Sequence, residues 1–165
     1  MGESPQKFII PKGVTETLKT LEKANFRAFL VGGCVRDLML HMKPKDWDIT
    51  TNAKPEQIAG LFPKTFYENN YGTVTVVDEG AEDETEKHLE ITPFRLEAKY
   101  SDKRHPDSVT FSDKIEDDLG RRDFTINAMA YLPQHGAGSD KGQMIDPYGG
   151  VKDLKDKTIR AVGKA

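Results

Sequence analysis

Residues 29–50 read FLVGGCVRDLMLHMKPKDWDIT, and the elements they imply decide the fold. An apolar run from Phe29 to Val31 meets Gly32 and Gly33 with no spacer, and apolar residues then recur at Val35, Leu38, Met39 and Met42, the spacing of one helical face. The pattern is strand, Gly-Gly turn, helix. After Lys43 and Pro44 the short, partly β-branched stretch DWDIT predicts a second strand, on which Asp46 and Asp48 project from one face while Trp47 packs behind them.

Working outward, Val14, Leu18 and Leu21 mark an amphipathic helix before this unit. Pro55 sits where a first helical turn accepts it, so a short helix follows the second strand. Residues 64–80 suggest two strands around Asn69-Asn70, and residues 87–94 a further strand with Leu89 and Ile91 on one face and His88, Glu90 and Thr92 on the other. Between them the acidic stretch from Asp78 to Lys87 is expected to be a solvated, mobile loop. Residues 95–111 mix cations with a His-Pro step and lack a period, which predicts a long flexible segment. Asp113 and Glu116 form a helix start signal. If that helix continues, Ile115, Leu119, Arg122 and Ile126 share one side, though Gly120 is a candidate break. Residues 129–133 and 143–150 suggest two short strands around a Gly/Ser-rich turn.

The chain of 165 residues, 36% apolar and 31% charged with a formal net charge of −3, has the composition of one soluble globular domain. No apolar run approaches the length of a membrane span, and the start lacks the pattern of a signal peptide, so a cytoplasmic location is expected. Cys34 is the sole cysteine, which excludes an intramolecular disulfide and a cysteine-rich zinc site; a metal must take oxygen ligands. The four histidines are scattered without ligand spacing and read as surface or loop residues.

Three elements carry chemistry. Asp46 and Asp48 aim four hard oxygens into one volume, an arrangement a cation such as Mg²⁺ neutralises, although Asp-x-Asp is also common in loops. Gly32 and Gly33 let a ligand approach the backbone at a helix start, with Arg36 one turn in; the plainer reading is a tight turn in which Arg36 pairs with Asp37. Arg121 and Arg122 suit a phosphate, or simply neutralise Glu116, Asp117 and Asp118. Together the three describe a site for a metal-bound nucleoside triphosphate.

In this order the motifs LVGGCVRDLML, DWDIT, RRDFTINAMA and IDPYGGVKDL closely resemble the catalytic head of class II tRNA nucleotidyltransferases, the CCA-adding enzymes, and of the bacterial poly(A) polymerases. The resemblance implies an α+β fold of the polymerase beta nucleotidyltransferase type, a mostly antiparallel sheet flanked by helices. It also implies Mg²⁺-dependent, template-independent transfer of CMP and AMP from CTP and ATP to the 3′ end of tRNA. By the same resemblance Asp46 and Asp48 are catalytic metal ligands and Glu90 a third acidic position. Gly32, Gly33, Arg36 and Asp37 match the motif holding the triphosphate. Arg121, Arg122, Asp123 and Asn127 match the segment at the nucleotide's phosphates and ribose, residues 95–110 the family's flexible loop, and DPYGGVKDL the junction of head and neck.

The family's neck, which carries the base-selecting residues, and its tRNA-gripping body and tail follow the head. Residues 1–155 are therefore expected to be the head and 156–165 the start of the connection, the chain being an excised head or half of a split enzyme whose second polypeptide supplies the rest. Weak or no tRNA extension and poor base discrimination are expected of it. A poly(A) polymerase head and a noncatalytic Mg-nucleotide-binding module are the alternatives; a metal-dependent glycosyltransferase would also use Asp-x-Asp but leaves RRDFTINAMA unexplained.

Overall fold

The computed structural model describes residues 8–67, 72–96, 99–100, 106–133 and 142–163. Its centre is a seven-stranded sheet built from β1 (Ala28–Val31), β2 (Asp48–Thr51), β3 (Thr65–Tyr67), β4 (Val74–Val77), β5 (His88–Pro93), β8 (Ala130–Leu132) and β9 (Gln143–Ile145), in the order β3-β4-β5-β2-β1-β8-β9. β2 and β5 run parallel, and the other neighbours in this sheet are antiparallel. The helices are α1 (Lys12–Lys23), α2 (Gly33–Met39), α3 (Pro55–Ala59), α4 (Ile115–Gly120) and α5 (Gly150–Lys155). The expected α+β architecture, largely antiparallel with flanking helices, is the one observed.

Every residue of β1 is buried, because the strand lies inside the sheet and both sheet faces are covered. On one face Leu30, Ile49, Ile91 and Val74 pack with Val14, Leu18 and Leu21 of α1 and with Trp47. On the other, Phe29, Val31 and Phe94 pack with Ile115 and Leu119 of α4. Helix α1 follows Pro11 with no side-chain cap, so its stability comes from the buried stripe; each such side chain contributes about 1.5–3 kcal/mol.

Five local expectations change. Helix α2 stops at Met39 and His41 takes a left-handed φ of 57°, so Met42 is 57% exposed and does not extend the apolar face. Strand β2 begins at Asp48, leaving Asp46 in the bend before it. The acidic stretch is ordered: a 3₁₀ turn at Glu84–Glu86 is capped by Asp83, Thr85 accepts the Trp47 indole N–H at 3.1 Å, and the buried Glu86 accepts the Gly13 N–H at 2.6 Å. Those apolar and backbone partners offset the like-charge repulsion that argues for a mobile loop. The segment taken as flexible contains a small antiparallel pair, β6 (Lys99–Tyr100) with β7 (Pro106–Ser108). Finally, α4 ends at Gly120, and Ile126 belongs to a separate 3₁₀ turn, Thr125–Asn127. A Cβ at Gly120 would lie 2.8 Å from the Tyr148 hydroxyl, so the small residue serves packing as well as the helix end. The turns at Asn69-Asn70 and between β8 and β9 fall largely outside the described residues.

Candidate active site

The expected carboxylates meet at one end of the parallel β2–β5 pair. Register places Asp48 directly opposite Glu90, and their side chains are hydrogen-bonded. Asp46 is near enough, from the bend before β2, for its charge to act on Asp48. Burial raises the Asp48 pKa above the ordinary aspartate range and Asp46 adds to the rise, while the Arg122 cation and the Glu90 hydrogen bond oppose it. Asp46 and Glu90 are exposed. Trp47 between the aspartates is 1% exposed and fixed by Thr85, so the bend is anchored on its inner side. The two aspartates come together without the shared strand that their spacing suggests.

Gly32 caps α2 with φ 77° and ψ −135°, a conformation that glycine alone adopts readily. A Cβ there would come within 2.9 Å of Arg122 Nη1, so its absence also makes room for the guanidinium. The Gly32 N–H is committed to the Met129 carbonyl at 3.2 Å and is not a free donor for a phosphate. At Gly33 a Cβ would sit 3.3 Å from Arg36 Nη2.

The remaining expected residues form one network. Arg36 donates to Asp37 Oδ1 at 3.0 and 3.1 Å, the plainer pairing, but its Nη1 also donates to Asn127 Oδ1 at 2.8 Å. Asn127 donates in turn to Asp123 Oδ1 at 3.4 Å. Helix α2 is thereby tied to the RRDFTIN segment across 91 residues of chain. Arg121 and Arg122 both donate to Asp118, a carboxylate with 0% exposure. Burial pulls the Arg121 pKa down to about 10, Asp118 opposes the fall, and Arg122 and Arg95 add to it.

Of the three acidic residues that the plainer reading offered the arginines, Asp118 alone is seen to accept from both; its i, i+3 and i, i+4 spacing favours it, but its burial was not foreseen. The packing of residues 158–162 on the same segment was not foreseen: Thr125 N–H donates to the Arg160 carbonyl and Val162 N–H to the Asp123 carbonyl. Cys34 Sγ is 3.8 Å from the Asp48 carbonyl, and burial pushes its pKa up to about 11, so it packs behind the site as an un-ionised thiol.

Among the described residues no group of three or more His, Cys, Asp or Glu side chains is placed to hold a metal ion. Two or three carboxylate oxygens without a cage still fit Mg²⁺, which keeps water and substrate phosphate oxygens as ligands. Among the described residues no helix is long and apolar enough to cross a membrane.

A family model described as Poly A polymerase head domain matches residues 28–160. The chain is 48% identical to the CCA-adding enzyme of Lactobacillus helveticus over 147 residues, covering 88% of this chain and 34% of that protein. It is 43% identical to that of Leuconostoc citreum over 162 residues, covering 98% and 36%. The chain thus spans about a third of these relatives' length. Its structure is similar to that of the Bacillus stearothermophilus CCA-adding enzyme in complex with CTP, with a TM-score of 0.74 and 35% identity over 93% of this chain and 34% of that one. The Thermotoga maritima CCA-adding enzyme complexed with tRNA gives a TM-score of 0.66 at 28% identity, over 93% and 34% of the two chains.

Proposed function

The chain belongs to the Poly A polymerase head-domain family, and from that premise we propose that it is the nucleotidyl-transferring head of a CCA-adding enzyme. The observation that carries this reading is the Asp48–Glu90 register, with Asp46 and Arg122 acting on the same carboxylate beside the Gly32 turn. Solved relatives bound to CTP, to tRNA, and to a primer tRNA with an incoming ATP analogue support the choice of substrates, CTP and ATP with the 3′ end of tRNA.

In this reading Asp46 and Asp48 hold Mg²⁺, with Glu90 keeping Asp48 oriented. Mg²⁺ bound there would supply Lewis acidity to the 3′-hydroxyl, and a second ion would offset charge on the leaving pyrophosphate, a chemistry that needs no covalent enzyme intermediate. Arg122, reaching past Gly32, places positive charge where the triphosphate lies, and Arg36 and Asn127 hold α2 against the segment that takes the ribose. Residues 1–155 form the head and 156–165 begin the connection beyond it, in a cytoplasmic protein. Base choice and tRNA grip belong to the parts of the relatives that this chain does not span.

The test is calorimetric titration with Mg²⁺ and CTP or ATP: the chain binds both, and Asp48→Ala binds neither. Equal binding by Asp48→Ala would overturn the assignment. The family model's name favours one second reading, a head that adds adenylates only. The relatives' shared identity as CCA-adding enzymes weighs against it. Transfer to a tRNA lacking its terminal CCA, with CTP alone, separates the two when the chain is joined to the neck, body and tail of such a relative.

A further inference from the structure

We propose that Asp118 is a positioning residue for the triphosphate: a buried carboxylate, itself out of reach of substrate, that holds the Arg121 and Arg122 guanidiniums in place. The proposal rests on the nucleotidyl-transfer reading above. Asp118 is fully buried in α4, and an isolated carboxylate there would be strongly unfavourable. Its two oxygens divide their work. Oδ1 accepts from Arg121 Nε at 3.2 Å and Nη2 at 3.1 Å, and Oδ2 accepts from Arg122 Nη2 at 3.3 Å.

The helix end explains how one acceptor serves two consecutive arginines. Asp118 sits in the last turn of α4, and Arg121 is the C-cap, so positions i+3 and i+4 both fold back onto it as the chain leaves the helix. The arginine side chains are 17% and 19% exposed, which excludes most bulk water as an alternative partner. One negative charge meets two cations, so the cluster keeps an excess positive charge, and the field of Arg95 adds to it at Arg121. Arg122 shows where that excess is directed. Its Nη1 lies against Gly32, its charge acts on Asp48, and its buried Nε has no hydrogen-bond partner among the described residues. A guanidinium gripped at one terminal nitrogen, with its other end at the glycine turn, is set for an anion before that anion arrives. Such pre-organisation lowers the ordering cost of binding.

The experiment compares the wild-type chain, Asp118→Asn, Asp118→Glu and Arg122→Lys by two readouts. The first is the ¹⁵N NMR signal of the arginine Nε–H groups without nucleotide. Asp118→Asn is expected to move and broaden the Arg121 and Arg122 signals while the backbone amides of β1, β2 and β5 stay in place. The second is affinity for Mg²⁺-ATP and for Mg²⁺-tripolyphosphate, expected to fall about tenfold for both ligands in Asp118→Asn, with part of the loss restored in Asp118→Glu. Arg122→Lys keeps the charge but not the planar fork, and is expected to lose affinity similarly; it serves should Asp118→Asn not fold. Unmoved arginine signals, or wild-type affinity in a folded Asp118→Asn or in Arg122→Lys, would overturn the proposal. A wild-type chain that binds neither ligand yet shows the arginine changes would refute the nucleotidyl-transfer reading instead, and with it the triphosphate as the object of the positioning.

Discussion

Asp48 and Glu90 face each other across the parallel junction of β2 and β5, so the Asp48 carboxylate that begins one strand accepts a hydrogen bond from the carboxyl of a residue brought in from 42 positions further along the chain. The pair is costly without a cation: burial and the nearby Asp46 both disfavour the Asp48 charge.

Asp48→Asn should therefore separate stability from function. Removing a partly buried charge is expected to raise the Tm of the metal-free chain by a few degrees, while Mg²⁺-dependent nucleotide binding is lost. Calorimetric melts with and without Mg²⁺ check both, and an unchanged or lower metal-free Tm would count against the electrostatic argument.

The sign of the pH dependence follows from the same shift. With its folded pKa above its unfolded one, Asp48 binds more protons in the folded state, so its contribution is present at low pH and is lost as pH rises through the folded value. The stability difference between wild type and Asp48→Asn should accordingly widen, in favour of Asn, as pH rises from about 4 toward 7. Urea unfolding midpoints of the two proteins across that range test it, and Mg²⁺ should narrow the gap at the upper end.

Gly32→Ala meets two obstacles, the strained φ of 77° and the Arg122 Nη1 atom 2.9 Å from the new methyl. The backbone conformation alone is expected to cost about 1–3 kcal/mol. Displacement of Arg122 should weaken Mg²⁺-ATP binding beyond what the stability loss explains. Binding measured well below the variant's melting temperature distinguishes the two effects.

Trp47→Phe keeps an aromatic ring in the core but removes the indole N–H donor to Thr85. The expected loss is about 1–2 kcal/mol, from the hydrogen bond and the smaller ring. Because Trp47 anchors the bend that carries Asp46, Mg²⁺ affinity should fall as well. A chain that keeps full Mg²⁺ affinity would show that the bend is held by other contacts.

Base choice is expected to be poor in this chain. CTP, ATP, GTP and UTP should bind within about tenfold of one another, because the described site offers arginines and carboxylates to phosphate and metal. A strong preference for one base in competition titrations would show that the head itself reads the base edge.

Much of the fold was legible because local pattern and burial agree. The alternation of Leu89 and Ile91 with His88 and Glu90 appears as the alternating burial of β5, and the spacing of Val14, Leu18 and Leu21 is the buried stripe of α1. Where the two diverged, long-range partners decided. The acidic run around Glu84 is ordered by Trp47 and by Gly13, residues far away in the chain that no local period can report. In the site, the functional residue types and their grouping were readable, but Asp46 was assigned to a strand that begins only at Asp48.

Sequence alone determined which chemical groups this protein holds and which short distances they keep: two aspartates separated by one residue, two adjacent glycines, two arginines in a row. Those are covalent facts, insensitive to packing. Tertiary structure decided what each group faces. Glu90 meets Asp48 only through the parallel pairing of β2 and β5, Arg122 reaches Gly32 only because α4 ends where it does, and Asp118 becomes the shared acceptor only because the core closes over it. A charge acquires its partner and its solvation from neighbours distant in the chain, and their placement is set by how the two faces of the sheet are buried.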